Sequence, residues 1–394
     1  MTKTIKEIFS KAFGFSNDDQ LNSLARILYH YEFDGIERRS APNDLNLKGI
    51  LDYKISEEDL NKLLQENIFQ KIRGSGERQQ VDPSNDFSSE TKQQLMQDFD
   101  KIGFVAEVSP NPDKEYKYII IYGAAQKGME NRLNDFLGYF LPKINGDPKE
   151  IFFLVGERYA WLDSESCAKE ILLERINKLS AISGEEKTTK TMKELEGEIN
   201  EVYAKFSSLT EKRKGAVKYF QDTYKNIKFP TEYDIAKEVI ESKKANLGGF
   251  TITYINAEKK TDGSRPDTTD TVRAFVKEVN LREEDFDFKA VVAISNQPNV
   301  SAQALSFRVD KRLCGIDVVG KEGSRQDGQL NILACELAGG FYRHFALSKQ
   351  EHESDQPQSS QGAPSSETVN RKDASLAEQL DNETEKGAKR ARFK

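Results

Sequence analysis

Five short apolar runs are spaced along the middle of the chain, and a polar turn follows each one. They are Tyr118–Tyr122, Ile151–Val155, Phe250–Ile255, Ala290–Ile294 and Ile316–Val319. Continuous, bounded apolar runs of this kind are typical of strands that are buried on both faces of a parallel sheet. The pattern therefore predicts a mostly parallel sheet of about five strands.

Segments with the apolar spacing of helices separate these runs. They are Met129–Leu141, Thr231–Glu241, Thr269–Val279 and Val300–Val309, and a last helix, Ile332–Phe345, is expected to pack back on the sheet. Repeated alternation of strand and helix indicates crossover connections with helices on both sheet faces. The fold class predicted for residues 113–347 is a doubly wound α/β domain.

The region before the sheet, residues 1–112, has a helical pattern throughout. Asn17–Phe33 carries apolar residues on one helix face, Ser56 begins a capping-box pattern, and Glu90–Ile102 predicts a third helix. The polar stretch Gly74–Ser89 predicts a loop. This region is expected to form a helical bundle or cap.

A charged segment, residues 185–226, interrupts the α/β pattern between the second and third strands. It is rich in Lys and Glu, with apolar positions at helical spacing: Met192, Leu195, Ile199, Val202, Phe206 and Leu209. The spacing predicts one long helix or a helical hairpin. Two interpretations stay open, a solvated helix packed on the domain edge and an arm that binds a protein partner.

The composition limits how much of the chain can belong to a hydrophobic core, and it indicates the cellular compartment. Hydrophobic residues make up 37% and charged residues 31% of the 394 positions, and residues 348–394 are rich in Ser, Gln, Glu, Asp and Pro, so this tail is predicted to be disordered. The N-terminus lacks a secretory pattern, no apolar run is long enough for a membrane span, and the odd cysteine count fits reduced thiols. A cytoplasmic protein is expected. A net charge of −7 argues against nucleic-acid binding.

Candidate ligand-binding residues follow the first predicted strand. In an open parallel sheet, ligands bind beyond the carboxyl ends of the strands, near the point where the strand order reverses. The backbone of Gly123, Ala124, Ala125 and Gln126 can approach a ligand closely, and the next helix, which carries Arg132, begins with free N–H groups that favour an anion. The alternative is that a strand-to-helix turn needs small residues for its own packing.

The second strand ends in Gly156, Glu157 and Arg158. A guanidinium at this edge can bind a phosphate or carboxylate through two hydrogen bonds. The alternative is an internal salt bridge that involves Glu157 and another helix end.

The third and fourth strands also end in polar residues. The loop after the third strand contains Arg265, Asp267, Thr268, Thr269 and Asp270, and one of the two threonines is predicted to cap the helix that follows. The fourth strand ends in Ser295, Asn296 and Gln297, whose hydroxyl and amide groups suit ribose or base edges. Turn and cap chemistry alone is the competing interpretation.

Catalytic chemistry has few candidates in this sequence. Glu157, Asp267 and Asp270 are the carboxylates that could act as a general base. No nucleophile motif follows a strand, and no metal site is expected, because the chain has three His and no Cys pair at ligand spacing.

Taken in order, four strand ends resemble the ElyC/SanA/YdcF-like family of Rossmann-like domains. The residues that carry the resemblance are Gly123, Ala124, Arg132 and Leu133; Gly156, Glu157 and Arg158; Asp267–Val272; and Ser295, Asn296, Ala304 and Leu305. The resemblance implies a nucleotide-like or phosphorylated ligand, with S-adenosylmethionine or another nucleotide as the cofactor. It also shows departures: the envelope-anchoring segment of many members is absent, and Gln297-Pro298-Asn299 stands where many have His or Arg.

The tail carries a second resemblance. Its polar composition, the acidic residues Glu383 and Glu385 and the basic end Lys389–Lys394 resemble the secretion signals of type IV-secreted effectors from intracellular bacteria. That resemblance implies secretion into a host cell. The alternative is a solubilising tail.

Two functions from different classes are therefore expected. The first is a protein that binds a nucleotide-like or phosphorylated ligand at the strand ends, as a hydrolase or group transferase. The second is a non-catalytic interaction protein or secreted effector that keeps the fold without the chemistry. The sequence leaves open whether the protein is an enzyme.

Overall fold

A computed structural model describes residues 2–33, 42–73, 83–182, 189–225, 227–259, 266–282 and 286–354. The N-terminal region is helical, as predicted. Its elements are β1 (Lys3–Thr4), α1 (Ile5–Phe13), α2 (Asp18–His30), α3 (Asp44–Asp52), β2 (Lys54–Ile55), α4 (Glu57–Leu64) and α5 (Ser89–Lys101). A π-helical turn, Gln65–Gln70, and one further turn, Lys71–Arg73, extend α4.

Side-chain caps fix where these helices begin. Ser56 accepts a hydrogen bond from the Asp59 backbone N–H, which confirms the cap predicted there, and Asn17 and Ser88 cap α2 and α5 in the same way. Each cap satisfies one backbone N–H that has no partner within its helix.

The α/β region forms one parallel sheet in the described part of the chain. Its strands are β3 (Tyr118–Tyr122), β4 (Glu150–Gly156), β5 (Thr251–Ala257), β6 (Val291–Asn296) and β7 (Asp317–Lys321). They lie in the order β5-β4-β3-β6-β7, and every neighbouring pair is parallel. The predicted fold class is confirmed, and the strand order reverses between β3 and β6.

Helices cover both faces of this sheet. They are α6 (Gln126–Asp135), α7 (Ser166–Ile182), α8 (Met192–Tyr203), α9 (Leu209–Thr223), α10 (Glu232–Ser242), α11 (Thr268–Asn280) and α12 (Asn299–Ser306). One more helix, α13 (Leu330–Ser354), follows β7. One face packs on α6 to α10 through residues such as Ile121 and Phe153, and the other packs on α11 and α12 through Tyr122 and Phe152. Successive strand residues therefore enter opposite cores.

The inserted segment is a helical hairpin of α8 and α9, in agreement with the sequence. Leu195, Ile199, Val202, Ala216 and Phe220 are buried in the same core as β3 and β4. The hairpin thus packs on the α/β domain, and this packing gives no support to the hypothesis of a partner-binding arm.

The last helix, α13, corrects one prediction. Its buried residues Leu330, Leu333, Leu337 and Phe341 belong to the core of the N-terminal helices, so the expectation that it packs back on the sheet is wrong. The helix also runs to Ser354, past the predicted tail boundary at residue 348. The remaining predicted tail, residues 355–394, lies outside the described residues. No helix that the structure describes has the length and apolar content of a membrane span.

Candidate functional site

A cavity of about 370 Å³ opens at the carboxyl ends of β3 and β4. The ends of these strands and the starts of α10 and α11 form its walls, and side chains from α12 and α13 complete it. The lining residues are Tyr122, Gly123, Ala124, Ala125, Arg132, Leu154, Gly156, Arg158, Trp161, Glu232, Pro266, Asp267, Thr268, Thr271, Gln303 and Arg343. This is the edge of the sheet where the sequence predicted a ligand site.

Arg132 is the most buried cation of the cavity, with 6% of its surface exposed. Its Nε donates to Asn296 Oδ1 at 2.8 Å, and its Nη1 donates to the Tyr122 and Gly123 carbonyl oxygens at 2.9 and 2.5 Å. No carboxylate of the described residues forms an ion pair with it. Burial lowers the pKa of the guanidinium to about 10, so it still carries its charge at neutral pH.

Three other residues that line the cavity each carry a buried polar atom without a hydrogen-bond partner among the described residues. These atoms are the Tyr122 hydroxyl oxygen, Gln303 Oε1 and Arg343 Nη1. Tyr122 and Gln303 are 2% and 8% exposed. Burial raises the pKa of the Tyr122 hydroxyl well above its ordinary value, so this group stays protonated and can donate a hydrogen bond.

Arg158 lines this cavity and also a second cavity next to it. Its Nε donates to Glu232 Oε2 at 3.0 Å, and its guanidinium lies 4.3 Å from the centre of the Trp161 ring. An internal salt bridge therefore exists here, but it joins Arg158 to α10 and does not involve Glu157. Glu157 lines the second cavity.

The start of α11 corrects the predicted cap. Asp267, and neither Thr268 nor Thr269, is the N-cap residue: Oδ1 of Asp267 accepts from the Thr269 and Asp270 backbone N–H groups at 2.7 and 3.1 Å. Asp270 completes a capping box by accepting from the Asp267 backbone N–H. The carboxylate is one residue nearer the loop and reaches two N–H groups, which a threonine inside the helix cannot do.

The two carboxylates proposed as catalytic at this helix thus have a structural role, although Asp267 still lines the cavity together with Thr268. Thr269 and Asp270 are not among the lining residues. Arg265 lies outside the described residues.

The turn after β3 is closely packed. A side chain at Gly123 would clash with Glu232 Oε1 and lie 2.9 Å from the Leu154 carbonyl oxygen, so glycine is required there. The backbone N–H of Gln126 donates to Glu165 Oε1 at 3.0 Å, and Glu165 is buried. The sequence predicted that the first backbone N–H group of α6 would bind a ligand anion. In the structure this N–H group donates to the Glu165 carboxylate instead.

The side chain of Gln126 is also used within the protein. Its Oε1 accepts from the Cys167 backbone N–H at 3.1 Å, and its Nε2 donates to Glu130. At the end of β4, a side chain at Gly156 would lie 2.9 Å from Pro266 Cγ, so this glycine allows the α11 loop to approach the strand.

The residues predicted at the end of β6 position other groups and do not line the cavity. Ser295 is fully buried, and Asn296 holds Arg132. Gln297 Nε2 donates to the Gly103 and Ala106 carbonyl oxygens at 3.1 and 2.6 Å, which ties β6 to the N-terminal region. Of the predicted site residues, the structure places Gly123, Ala124, Ala125, Arg132, Gly156, Arg158, Asp267 and Thr268 in the cavity lining, whereas Gln126, Glu157, Thr269, Asp270, Ser295, Asn296 and Gln297 are not among the lining residues.

Sequence reasoning missed Tyr122, Glu232, Gln303 and Arg343. Tyr122 ends an apolar run and has the pattern of a core residue, while Arg343 comes from a helix far along the chain. Over the described positions, no group of three or more His, Cys, Asp or Glu side chains is arranged to hold a metal ion.

The fold and the cavity define a class: an α/β protein with a five-stranded parallel sheet and a cationic cavity at the strand ends. Comparisons with models of protein families, with curated proteins and with solved structures found no match.

Proposed function

We propose that the protein binds a small phosphorylated or nucleotide-like molecule in this cavity, with the anionic group between Arg132 and Arg343. The observation that carries the proposal is the set of unpaired buried groups that line it: a guanidinium without an ion pair, and the Tyr122 hydroxyl, Gln303 Oε1 and Arg343 Nη1 without hydrogen-bond partners in the described chain. Buried polar groups in folded proteins are nearly always hydrogen-bonded. A ligand that supplies the missing partners explains this set.

The chemistry of these groups selects an anion that can accept several hydrogen bonds. Guanidinium groups and a protonated phenol are donors, and phosphate or carboxylate oxygens accept from them with short, charge-assisted bonds. Gln303 Oε1 adds an acceptor, which suits a ligand hydroxyl or amino group. The family resemblance supports the same ligand class, and the carboxylate of S-adenosylmethionine would use the same arginines.

Binding has more support than a reaction. A hydrolase or group transferase of this ligand needs a general base, but Asp267 is occupied as a helix cap and Glu232 is paired with Arg158. Glu157 faces the second cavity. The proposed function is therefore ligand binding, and a reaction would have to use a carboxylate that leaves its present hydrogen bonds.

Calorimetry with inorganic pyrophosphate, ADP and S-adenosylmethionine tests the proposal. We expect at least one of these to bind, and we expect Arg343→Met to weaken that binding by about tenfold, because a hydrogen bond to a charged group contributes about 1.5–3 kcal/mol. Arg312→Met, which removes an exposed arginine that pairs with Asp310 outside the cavity, is the matched control and should leave affinity unchanged. Equal affinities for the wild type and the Arg343 variant would contradict the proposal.

Tyr122→Phe should separate binding from stability. Removing a buried hydroxyl that has no protein partner is expected to raise the free energy of unfolding of the ligand-free protein by about 1 kcal/mol, since an unsatisfied group keeps its desolvation cost. The same change should weaken pyrophosphate binding about tenfold, because it removes a donor. Urea unfolding and calorimetry measure the two effects. A variant that is less stable and binds normally would show that the hydroxyl does not face the ligand.

A further inference from the structure

A second cavity, of about 380 Å³, lies between the carboxyl end of β4 and the inserted helical hairpin. Arg158 and Trp161 line both cavities, so the two spaces adjoin at these two side chains. The second cavity has a mainly apolar interior, to which Ala160, Leu162 and Phe229 contribute. Its outer wall comes from the hairpin, through Tyr203 and the residues Arg213, Lys214, Ala216, Val217, Lys218 and Gln221.

The two shared side chains are held in place by internal contacts. The Arg213 guanidinium lies 4.0 Å from the centre of the Trp161 ring and donates to both carboxylate oxygens of Asp163, at 2.8 and 2.7 Å. Arg158 itself is fixed by its ion pair with Glu232. Side chains that are already ordered lose little conformational entropy when a ligand binds.

The rim of the second cavity is positively charged. Lys214, Lys218 and Lys259 line it, and none of them forms an ion pair with a described carboxylate. Lys259 Nζ lies 3.5 Å from the centre of the Tyr159 ring. A positively charged rim attracts an anionic ligand. Burial of an apolar ligand group against the apolar interior makes the free energy of binding more favourable.

We propose that the second cavity is a subsite of the same ligand site, and that the ligand is an elongated organic phosphate whose apolar or aromatic part lies between β4 and the hairpin. This inference rests on the proposed function, which places the phosphoryl group between Arg132 and Arg343. The inference gives the charged insertion a role in ligand specificity, because α9 supplies most of the outer wall of the second cavity.

Two pairs of probes test the inference by calorimetry: inorganic phosphate with 1-naphthyl phosphate, and inorganic pyrophosphate with ADP. Within a pair the phosphoryl group is shared and only the organic part differs. We expect at least one organic probe to bind ten times or more tightly than its inorganic partner, because it covers apolar surface that the inorganic ion cannot reach. Val217→Phe, which fills the second cavity, should remove this advantage and leave the affinity for the inorganic ion unchanged.

Lys212→Ala is the matched control, since Lys212 lies on α9 but is not among the lining residues. If Val217→Phe fails to fold, the affinity ratios of the wild-type protein decide: equal affinities within both pairs overturn the inference. An organic advantage that survives in a folded Val217→Phe protein overturns it as well. If inorganic pyrophosphate binds and depends on Arg343, the proposed function stands even when the inference fails. If neither these four probes nor S-adenosylmethionine binds, both fail.

Discussion

Arg132→Met is expected to weaken the binding of inorganic pyrophosphate by about 100-fold, the largest loss of affinity among the cavity variants. Arg132 is charged, almost fully buried and without an ion pair in the described chain, so its interaction with a bound anion is poorly screened by solvent. Charge-assisted hydrogen bonds in such a place contribute about 1.5–3 kcal/mol each, and one or two of them account for the expected factor.

Arg132→Lys is the informative control for this experiment. Lysine keeps the charge but cannot hold Asn296 and the Tyr122 carbonyl with the same planar geometry, so an intermediate affinity is expected. Circular dichroism should establish that both variants fold, because Arg132→Met leaves three oxygen acceptors without their donor. A folded Arg132→Met protein with wild-type affinity would contradict the assignment of the anion site.

The sheet could be predicted because its signal is local. Strands that are buried on both faces need apolar side chains at every position, so the runs themselves mark the strands to within about two residues at most ends. Among the described helices of the α/β region, α7 was missed, although Ala168, Leu172 and Ile176 have helical spacing and are buried.

The packing of α13 could not be predicted in the same way. Helical spacing shows that a helix has an apolar face, but it does not say which other apolar face will cover it. The buried residues Leu333 and Leu337 fit equally well against a sheet or a helix. Their contact with the N-terminal helices depends on the tertiary packing of the whole chain. The same packing places Arg343 at the cavity.

Only part of the candidate site could be predicted, because the sequence shows the strand ends but not the tertiary contacts of their side chains. Reading the residues after each strand identifies the edge of the sheet where the cavity opens, and Arg132 and Arg158 are among its lining residues. It does not tell which polar groups are already used within the protein. Glu165 at the start of α6 and Gln297 against the N-terminal region are used in this way, while the unpaired Tyr122 hydroxyl is hidden in an apolar run.

A second large effect is expected outside the cavity, at the contact between α2 and α5. Asp98 is fully buried and accepts two short hydrogen bonds from Arg26, 2.9 Å from Nε and 2.6 Å from Nη2. Asp98→Ala leaves the partly buried Arg26 guanidinium without its partner. Breaking a buried ion pair on one side costs about 3–5 kcal/mol, and we expect a loss of about 3 kcal/mol because Arg26 retains some exposure to solvent.

Urea unfolding measures this loss, with Glu196→Ala as the control. Glu196 pairs with Lys169 on the surface, and removing an exposed pair should cost less than about 1 kcal/mol. The double variant Arg26→Leu, Asp98→Leu should recover most of the stability that Asp98→Ala loses, because no buried charge is then left unpaired. If Asp98→Ala costs no more than Glu196→Ala, the pair does not hold the N-terminal helices together. If the double variant is as unstable as Asp98→Ala, the loss comes from packing and not from the unpaired charge.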